Sequence, residues 1–523
     1  MEEITTDFEK WLTPANDAFN LNLVRPTSEA GDPQRIFEEP FHPEFTLDMF
    51  PQEEMIIGYS DLELNLDFRA NDLKPSLQIS YGEKWKGVGE LKPMDLNEVL
   101  KKFLPPYAFE GVEDDSTGPD ATDSSWKPPG KHMKSYALHG RQFEIWSASF
   151  SDPVARDIFR RMQIFIPFFV DGGSVQQLDD ESEDAWQIHR WTLFLTYEVT
   201  PLKKMPGVSP YTLVGFATSY KHWIYPTKEV MEATQTKSFF PDPEKPPVPL
   251  QSAIDPQTSE YLEPYDQLSG PSRECISQFA ILPPYQKQSH GSHLYDTMFA
   301  AFVALPNIYE ITVEMPNQAF DDMRDWCDLL YLRKIPEFTA LTLPTAIESK
   351  ELAKDAPIPK DKIIGSEKAL TALRHKCKIT TRQFQRLVEM QLLSTIPVGN
   401  RSVSRLTRKE KSKDENDRRF YFWRLAQKQR LYLHNFDSLM QIEADERIER
   451  VAETANIVQA DWERLLEGAK RRAEWRAQDG DSASAGLRGP KRRRVVESEE
   501  DDEDEDEDAD ERETVAAKRP KVS

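Results

Sequence analysis

The sequence predicts an α+β fold in four parts along the 523-residue chain. Residues 1–155 contain short alternating segments that favour a mixed N-terminal domain with several strands. Residues 156–345 contain β-branched and aromatic runs and then a strand–helix–strand–helix order, which favours a domain built on a mixed sheet. Residues 346–480 have helical composition, and residues 481–523 form an acidic and basic tail that is expected to be disordered.

The first part is assigned from strand periodicity. Met55–Phe68 (MIIGYSDLELNLDF) alternates apolar and polar residues, as a half-buried strand does, and Leu77–Tyr81 is its expected hairpin partner. Asp95–Phe103 has the pattern of a short helix. Gly111–Lys131 is rich in polar residues, Gly, Pro and Ser, and is therefore predicted to be a loop.

The second part has a clear order of elements. Trp191–Val199 and Tyr211–Tyr220 are predicted strands, joined as a hairpin by a Gly-containing turn. The Pro- and Ser-rich insertion Lys237–Arg273 is predicted to be a surface loop. Two further strands then alternate with two helices, which implies a right-handed crossover between parallel strands. These four elements are Ile276–Leu282, Ser292–Ala304, Ile308–Val313 and Asn317–Leu332.

The third part is helical and the tail is charged. Glu367–Arg374 and Thr381–Leu393 fit short helices, and Asp417–Arg476 fits a long charged helix. These helices either dock a partner or cap the preceding domain. Lys491–Arg494 and Lys518–Lys521 are interpreted as nuclear import signals or as generic basic ends of the tail.

The net charge of the chain limits the classes of molecule that it is expected to bind. The formal net charge is −24. Residues 497–513 hold fourteen Asp or Glu and one Arg, a net charge of −13, so the tail carries about half of the excess. A chain this acidic favours basic proteins or peptides over direct binding of DNA. The acidic block either holds a basic protein surface by charge alone or only keeps the chain soluble.

The cysteine pattern and the first residues indicate a compartment. The three cysteines have no CxxC spacing, which argues against a zinc site and a disulfide framework and suits a reducing environment. The N-terminus (MEEITTDFEKW) lacks a signal-peptide core, and the apolar runs are too short to span a bilayer. We therefore expect a soluble protein of the cytoplasm and nucleus without membrane contact.

The stretch Cys275–Tyr295 (CISQFAILPPYQKQSHGSHLY) carries the most chemistry. A strand, a Pro-Pro turn and a small-residue loop lead into a helix, so free backbone N–H groups at the helix start suit a pyrophosphate. Glu314 follows the next strand, IYEITV, as a carboxylate at its end. A diphosphate cradle beside such a carboxylate suggests group transfer from a nucleotide-like donor, with Glu314 accepting a proton.

An ordered set of segments resembles the type B histone acetyltransferase catalytic subunits, a family with the Gcn5-related acetyltransferase fold. The donor loop of that family, Gln/Arg-x-x-Gly-x-Gly/Ala, corresponds to QKQSHGS at 286–292. The flanking SQFAILPPYQ and HGSHLY match, and so does EITVEMPNQAFDDMRD at Glu310–Asp325. VGFATSYKHWIYP (Val214–Pro226) and RRMQIFIPFF (Arg160–Phe169) also resemble the family.

The resemblance implies a splayed mixed sheet that holds acetyl-CoA and transfers its acetyl group to lysines on the N-terminal tail of free, newly made histone H4, without a metal. Glu314 would be the general base and Asp171 a further acid near the site. Residues that would bind the donor are Phe279, Ala280, Ile281, Gln286, Lys287, Gln288, Ser289, His290, Gly291, Ser292 and Asn317. Residues that would meet the histone tail are Trp191, Tyr220, Lys221, His222, Glu53 and Glu54.

The resemblance also implies a WD40-type histone-binding subunit as a partner, and the H4 tail would be presented together with H3. The chain departs from the family pattern in three places. Ser289 replaces the first Gly of the loop, Met315 replaces an Asp beside the expected base, and the Lys237–Arg273 insertion is longer than usual.

Alternative interpretations remain open for several of these residues. Glu314 and Asp171 also fit ordinary strand-end carboxylates, and Lys287 fits a solvated loop lysine. Trp191, Tyr220 and Trp223 either hold the stem of a substrate lysine or pack in the core. For the whole chain, the alternatives are a non-catalytic histone-binding chaperone on the same scaffold and a small-molecule N-acetyltransferase.

Overall fold

The part of the chain with a described structure is discontinuous. A computed structural model describes residues 8–26, 33–89, 91–109, 124–173, 186–200, 207–234, 268, 270–353 and 356–485. The chain separates into the units Met1–Asp479 and Gly480–Ser523, and every contact discussed below lies within the first. Most of the predicted 111–131 loop and of the 237–273 insertion, and the tail beyond residue 485, lie outside the described residues.

The strands of the described residues form a two-stranded sheet (β1-β4), a four-stranded sheet (β3-β2-β5-β6) and a six-stranded sheet (β12-β11-β10-β9-β8-β7). The strands are β1 Leu12–Pro14, β2 Phe19–Arg25, β3 Gln34–Arg35, β4 Met55–Ile57, β5 Glu63–Arg69, β6 Pro75–Ser80, β7 Lys131–Leu138, β8 Arg141–Ser149, β9 Trp191–Val199, β10 Tyr211–Trp223, β11 Ser272–Ile281 and β12 Ile308–Val313.

The α-helices of the described residues lie mainly after the large sheet in sequence. They are α1 Ala15–Ala18, α2 Leu96–Leu100, α3 Pro153–Met162, α4 Phe165–Phe169, α5 Trp186–His189, α6 Lys228–Thr234, α7 His290–Ala304, α8 Gln318–Leu332, α9 Pro336–Thr339, α10 Lys360–Ile364, α11 Glu367–Cys377, α12 Thr381–Ser394, α13 Glu415–His434, α14 Phe436–Leu439 and α15 Ala444–Ala485.

The six-stranded sheet is mixed. Its strands pair antiparallel from β7 to β11, whereas β11 and β12 run parallel and are connected through α7. The parallel pairing and the connecting helix are those that the sequence predicts, and the predicted β9–β10 hairpin is also confirmed. The α+β class with a mixed sheet and a helical C-terminal part is therefore confirmed.

Two hydrophobic cores cover the large sheet. The first joins it to the four-stranded sheet and to α3 and α4, and includes the fully buried Phe68 and Phe168. The second packs α7, α8 and the C-terminal helices together, and includes Met298, Leu329 and Trp423. Burial of side chains of this size, each contributing about 1.5–3 kcal/mol, fixes the start of α7 and the end of β11 relative to each other.

The prediction of one strand over Met55–Phe68 is wrong. The segment forms β4 and β5, which belong to different sheets. Gly58 (φ 109°) and Asp61 (φ 49°) between them have positive φ, a conformation that an extended strand cannot contain. Apolar–polar alternation continues across this turn, so periodicity alone does not reveal the break.

The long helix predicted over Asp417–Arg476 is also interrupted. Helix α13 ends at His434, where the Leu431 carbonyl accepts from both the backbone N–H of Asn435 at 3.1 Å and its side-chain amide at 2.8 Å. The short helix α14 follows before α15 begins at Ala444. The large sheet also takes β7 and β8 from residues 131–149, ahead of the domain boundary predicted at residue 155.

Candidate active site

A cavity of about 680 Å³ opens where β11 ends and α7 and α8 begin. The eleven residues predicted to bind the donor converge on it, with one exception. The cavity is lined by the three residues that end β11, by residues 286–292 other than Gln288, and by Asn317. Gln288 instead accepts from the Arg141 guanidinium at 2.8 Å and donates to the Pro284 carbonyl at 3.0 Å, so it braces the loop.

The cavity exists because β12 separates from β11. Their parallel pairing stops at the Ile276–Val313 pair, but β11 continues to Ile281 against β10. The Leu282 N–H donates to the Val214 carbonyl, so by antiparallel alternation Ala280 turns its backbone groups toward β10. The backbone groups of Phe279 and Ile281 therefore face the open edge, where an extended ligand can bond to them.

The start of α7 supplies backbone donors to the same cavity. The first intrahelical bond of α7 runs from the His293 N–H to the Ser289 carbonyl at 3.1 Å, so the N–H groups of the residues before His293 have no acceptor within the helix. These groups and the positive end of the helix dipole favour an anion. Ser289, at the N-cap of α7, has φ 69°, the left-handed conformation that Gly adopts without cost.

The first two residues of α7, His290 and Gly291, have further local roles. Nδ1 of the buried His290 lies 2.9 Å from the Tyr136 hydroxyl, and burial lowers the pKa of His290 to about 4, so its ring is neutral. Gly291 lies where a Cβ atom would come 3.1 Å from the sulfur of Met323 on α8. A small residue therefore lets α7 and α8 approach closely beside the cavity.

Glu314 lies immediately after β12, where that strand separates from β11. Its N–H donates to the Ile276 carbonyl at 2.9 Å. The Tyr220 hydroxyl donates to Oε1 and the Ser277 hydroxyl donates to Oε2, both at 2.5 Å. These bonds orient an exposed carboxylate beside the separation of the two strands, as a proton acceptor requires, although Glu314 itself is not among the residues that line the cavity.

Tyr220 links the carboxylate to the predicted substrate residues. Burial, and next the hydrogen bond to Glu314, raise the pKa of Tyr220, so its phenol stays protonated as a donor. Its ring lies 4.5 Å from the ring of Trp191, which is buried. Lys221 is half-buried and His222 is exposed at the end of β10, so both are accessible to a peptide there.

The other predicted acids lie elsewhere. Asp171 is exposed, two residues after Phe169 of the cavity lining, and no contact with Glu314 is present among the described residues. Glu54 accepts from the Thr46 N–H at 2.6 Å, which makes it part of a local turn, while Glu53 is exposed. Both Glu53 and Glu54 have positive φ, near 55°. The structure therefore does not bring these three acids together with Glu314.

Sequence reasoning missed a buried acid on β11. Glu274 is 2% exposed and accepts from the Ser219 hydroxyl at 2.6 Å. Burial raises the pKa of Glu274 to about 7. Only the register of β11 against β10, which sequence does not supply, reveals that this residue is enclosed.

The cysteine nearest the site is not suited to covalent catalysis. Cys275 is buried beside Tyr220, and burial raises the pKa of its thiol, so little thiolate forms. Among the described residues no group of His, Cys, Asp or Glu has the geometry of a metal site. None of the described helices is long and apolar enough to cross a membrane.

Sequence reasoning also missed one wall of the cavity. Gly468, Arg471 and Arg472 of α15 line it together with the donor loop. These residues lie far along the chain from the loop at 286–292, so the sequence alone does not predict the contact. The one sequence signal is a glycine inside an otherwise helical pattern, which often marks close packing.

Comparison with known proteins places this site in a class. Residues 11–171 match the family model described as "Histone acetyl transferase HAT1 N-terminus", and residues 342–396 match "Fungal HAT1, C-terminal". These matches indicate that the chain is an acyltransferase.

Curated relatives specify the family. The histone acetyltransferase type B catalytic subunit of Aspergillus oryzae is 37% identical, covering 87% of this chain and 86% of its own. Those of Aspergillus fumigatus and Gibberella zeae are 36% and 35% identical, covering 98% and 92% of this chain and 89% and 96% of their own. The chain belongs to the family of histone acetyltransferase type B catalytic subunits and is an acetyltransferase.

Solved structures resemble the chain only weakly. An aminoglycoside acetyltransferase from an uncultured soil metagenomic sample, in complex with trehalose, matches with a TM-score of 0.19 and 15% identity. The match covers 39% of this chain and 90% of that chain. The complex of that enzyme with sisomicin gives the same values.

Proposed function

We propose that this chain transfers the acetyl group of acetyl-CoA to lysine side chains on the N-terminal tail of free, newly synthesised histone H4, with Glu314 as general base. One observation carries the proposal. Glu314 lies where β12 leaves β11, and the last three residues of β11, which begin three positions beyond the final pair, line the cavity. A donor lying along Phe279 and Ile281 would bring its acetyl end toward that separation.

The donor fits the cavity by its parts. The backbone groups of Phe279 and the N–H of Ile281 face the open edge and suit the amides of a pantetheine arm, whereas the Ile281 carbonyl already accepts from the Gln286 side-chain amide at 3.0 Å. The N–H groups at the start of α7 suit a pyrophosphate. Asn317 caps α8 by accepting from the Phe320 N–H at 2.9 Å and lies on the cavity wall. Acetyl-CoA is therefore the co-substrate that we propose.

The residues of this chain prepare the amine for attack. A lysine amine is a nucleophile only when neutral, and its ordinary pKa is about 10.4. Glu314 accepts the proton, directly or through one water, and the neutral nitrogen bonds to the acetyl carbon. The carbon–sulfur bond breaks, and the departing coenzyme A thiolate takes up a proton. A backbone N–H of β11 at the open edge is suited to the carbonyl oxygen as its charge develops.

Attack within a ternary complex is favoured over a covalent enzyme intermediate. Burial holds Cys275 in its thiol form. Within the described residues, Cys327 and Cys377 are likewise buried and unbridged. We therefore propose that the substrate amine attacks the acetyl group of the donor directly, without prior transfer to a cysteine.

The substrate and partner assignments extend this proposal. Trp191, Tyr220, Lys221 and His222 would line the path of the H4 tail, and Glu53 and Glu54 would attract its basic residues. Asp171 would be an auxiliary acid. We propose further that H4 is presented together with H3 and that the partner is a WD40-type histone-binding subunit. We also propose that the protein resides in both nucleus and cytoplasm. We also propose an N-terminal domain, a Gcn5-related domain that includes the strands Lys131–Leu138 and Arg141–Ser149, a helical segment that continues to Ala485, and an acidic tail after it.

Transfer of radiolabelled acetyl from acetyl-CoA to an H4 tail peptide tests the proposal. Glu314→Gln should lower kcat by about 10²–10⁴-fold, the usual effect of losing a general base, while coenzyme A binding by calorimetry stays unchanged. Met315→Asn, at the exposed adjacent position, is the matched control and should keep full activity.

Other outcomes would change the assignment. Equal rates for Glu314→Gln and the parent chain would remove Glu314 as base. Donor binding without transfer to any substrate would favour the chaperone alternative. Transfer to polyamines but not to the peptide would favour a small-molecule acetyltransferase.

A further inference from the structure

The C-terminal helix α15 forms part of the wall of the proposed donor cavity. Gly468, Arg471 and Arg472 line the same space as Lys287 and the start of α7. Arg472 is 8% exposed, whereas Arg471 is exposed to solvent. Two guanidinium groups from the last described helix therefore border a site whose other lining residues lie mostly between residues 279 and 326, with Glu44 and Phe169 from earlier in the chain.

Close packing holds this part of α15 against α8. A Cβ atom at Gly468 would lie 2.6–2.8 Å from three ring atoms of Trp326, so only a glycine fits at this contact. One turn earlier, Arg464 makes a two-pronged ion pair with Asp322 of α8, with an Nη2–Oδ1 distance of 2.9 Å. The helix therefore has a fixed position and rotation at the cavity.

Contacts with α12 fix the other side of α15. The Trp462 indole donates to Oε2 of Glu389 at 3.1 Å, and the Arg386 guanidinium lies 4.8 Å from the Trp462 ring centre. Leu465 and Ala469 are fully buried in the second core. Residues 471 and 472 thus continue a helix that is clamped on two faces, so their side chains start from a defined place.

The charge of the cavity is unusual for this chain. Its cationic lining residues are Lys287, Arg471 and Arg472, and its acidic ones are Glu44 and Asp322. Asp322 is already paired with Arg464. The cavity therefore keeps a local excess of positive charge in a protein of net charge −24, which suits a ligand that carries several negative charges.

We propose that Arg471 and Arg472 bind phosphate groups of the donor, so that α15 is a functional part of the donor site. This inference rests on the proposed use of acetyl-CoA. Guanidinium groups bind phosphate through paired N–H donors, and an arginine shielded from water makes the stronger contact. Coenzyme A offers two phosphate sources, its pyrophosphate and its ribose 3′-phosphate.

Calorimetric titration with coenzyme A and with 3′-dephospho-coenzyme A tests the inference in the full chain. Arg471→Gln should weaken coenzyme A binding by about three- to tenfold, as the loss of a partly exposed charged contact does. Arg472→Lys, which keeps the charge but loses the planar fork, should weaken it by a similar factor. Lys470→Gln is the matched control, because Lys470 is exposed next to Arg471 and outside the cavity lining.

The two titrants separate the phosphate sources. If the effect disappears with 3′-dephospho-coenzyme A, the arginines bind the 3′-phosphate; if it persists, they bind the pyrophosphate. Both results support the inference, provided that circular dichroism and Tm show folded variants. A single Kd for the parent chain, both arginine variants and the control would overturn it and leave the proposed function standing. No heat from coenzyme A with the parent chain would instead overturn the proposed function.

Discussion

The Tyr220 hydroxyl donates a 2.5 Å hydrogen bond to Oε1 of Glu314, across the separation of two strands that are not neighbours in the sheet. Tyr220 belongs to β10 and Glu314 follows β12, with β11 between them. The bond therefore crosses the middle of β11, near Cys275 and Ile276, a few residues before the part of the strand that lines the cavity. It fixes the carboxylate at a position that β12 alone would not determine.

Removing this hydroxyl should impair transfer without disturbing the fold. Tyr220→Phe keeps the ring contact with Trp191 but loses the hydrogen bond to Glu314. We expect kcat/KM for the H4 peptide to fall by about tenfold, since one oriented hydrogen bond is worth about 1–1.5 kcal/mol. Tyr432→Phe, an exposed contact on α13, is the control and should not change the rate. Unchanged kcat/KM in Tyr220→Phe would show that Ser277 alone orients the base.

Ser289 should be a site where glycine stabilises the protein. Its φ of 69° costs an L-residue about 1 kcal/mol relative to Gly. We therefore expect Ser289→Gly to raise the free energy of unfolding by about 0.5–1 kcal/mol in urea titrations. Coenzyme A binding should persist, because the backbone N–H groups are retained.

A second substitution by glycine, at Ser292, provides the contrast. Ser292 lies within the first turn of α7 and has ordinary helical backbone angles, since it is absent from the residues with positive φ. Ser292→Gly should lower the free energy of unfolding by about 0.5–1 kcal/mol through backbone entropy. Destabilisation by both substitutions would contradict the left-handed conformation at Ser289.

Glu274 should make stability depend on pH. Its carboxyl is enclosed, Oε2 has no hydrogen-bond partner among the described residues, and its pKa is raised from 4.5 to about 7. The folded state therefore holds a proton between about pH 4.5 and 7 that the unfolded state releases. This contribution is complete below pH 4.5 and is lost as the pH rises through 7.

Glu274→Gln removes that titration. Its Tm should equal that of the parent chain at pH 5 and exceed it at pH 8, by an amount equivalent to about 1–3 kcal/mol. Glu63→Gln, at an exposed position of β5, should show no such difference between the two pH values. A Glu274→Gln variant that is less stable than the parent chain at pH 8 would mean that the carboxylate has a stabilising partner.

Gly468 should be essential for the close packing of α15 against Trp326 of α8. Alanine favours helices by about 1 kcal/mol over glycine, yet its Cβ would overlap the Trp326 ring. We expect Gly468→Ala to lower the free energy of unfolding by about 1–3 kcal/mol, as overpacking does, and to raise the KM for acetyl-CoA. Glu467→Ala, exposed on the same turn, should leave both quantities unchanged. Stabilisation by Gly468→Ala would show that α15 can move away at no cost.

The elements that carry the donor site were predictable because their signals are local. The strand Ile308–Val313 has the predicted bounds, and the helix predicted from Ser292 begins two residues earlier, at His290. Turn residues and hydrophobic periodicity mark these boundaries within a few residues of sequence. The resemblance then supplied the donor residues, of which all but Gln288 line the cavity.

The remaining features depend on packing between distant segments. Gln288 turns away because Arg141, far earlier in the chain, offers it a hydrogen bond. Glu274 is enclosed by the register of two strands, and the wall formed by α15 depends on the contact of Gly468 with Trp326. The sequence did not reveal that α13 ends at His434, because the charged, helix-favouring composition continues beyond that residue. Such contacts have no pattern within any short window of sequence.

The contribution of α15 to the cavity also has a consequence for the timing of biosynthesis. The ribosome makes the loop at 286–292 long before it reaches Arg471 and Arg472, so one side of the cavity is absent from the nascent chain until α15 has been made. Full affinity for a phosphate-bearing donor would then arise only when translation is almost finished. Premature termination upstream of Gly468 would remove Arg471 and Arg472 but not Glu314, and on the proposals above it would weaken donor binding.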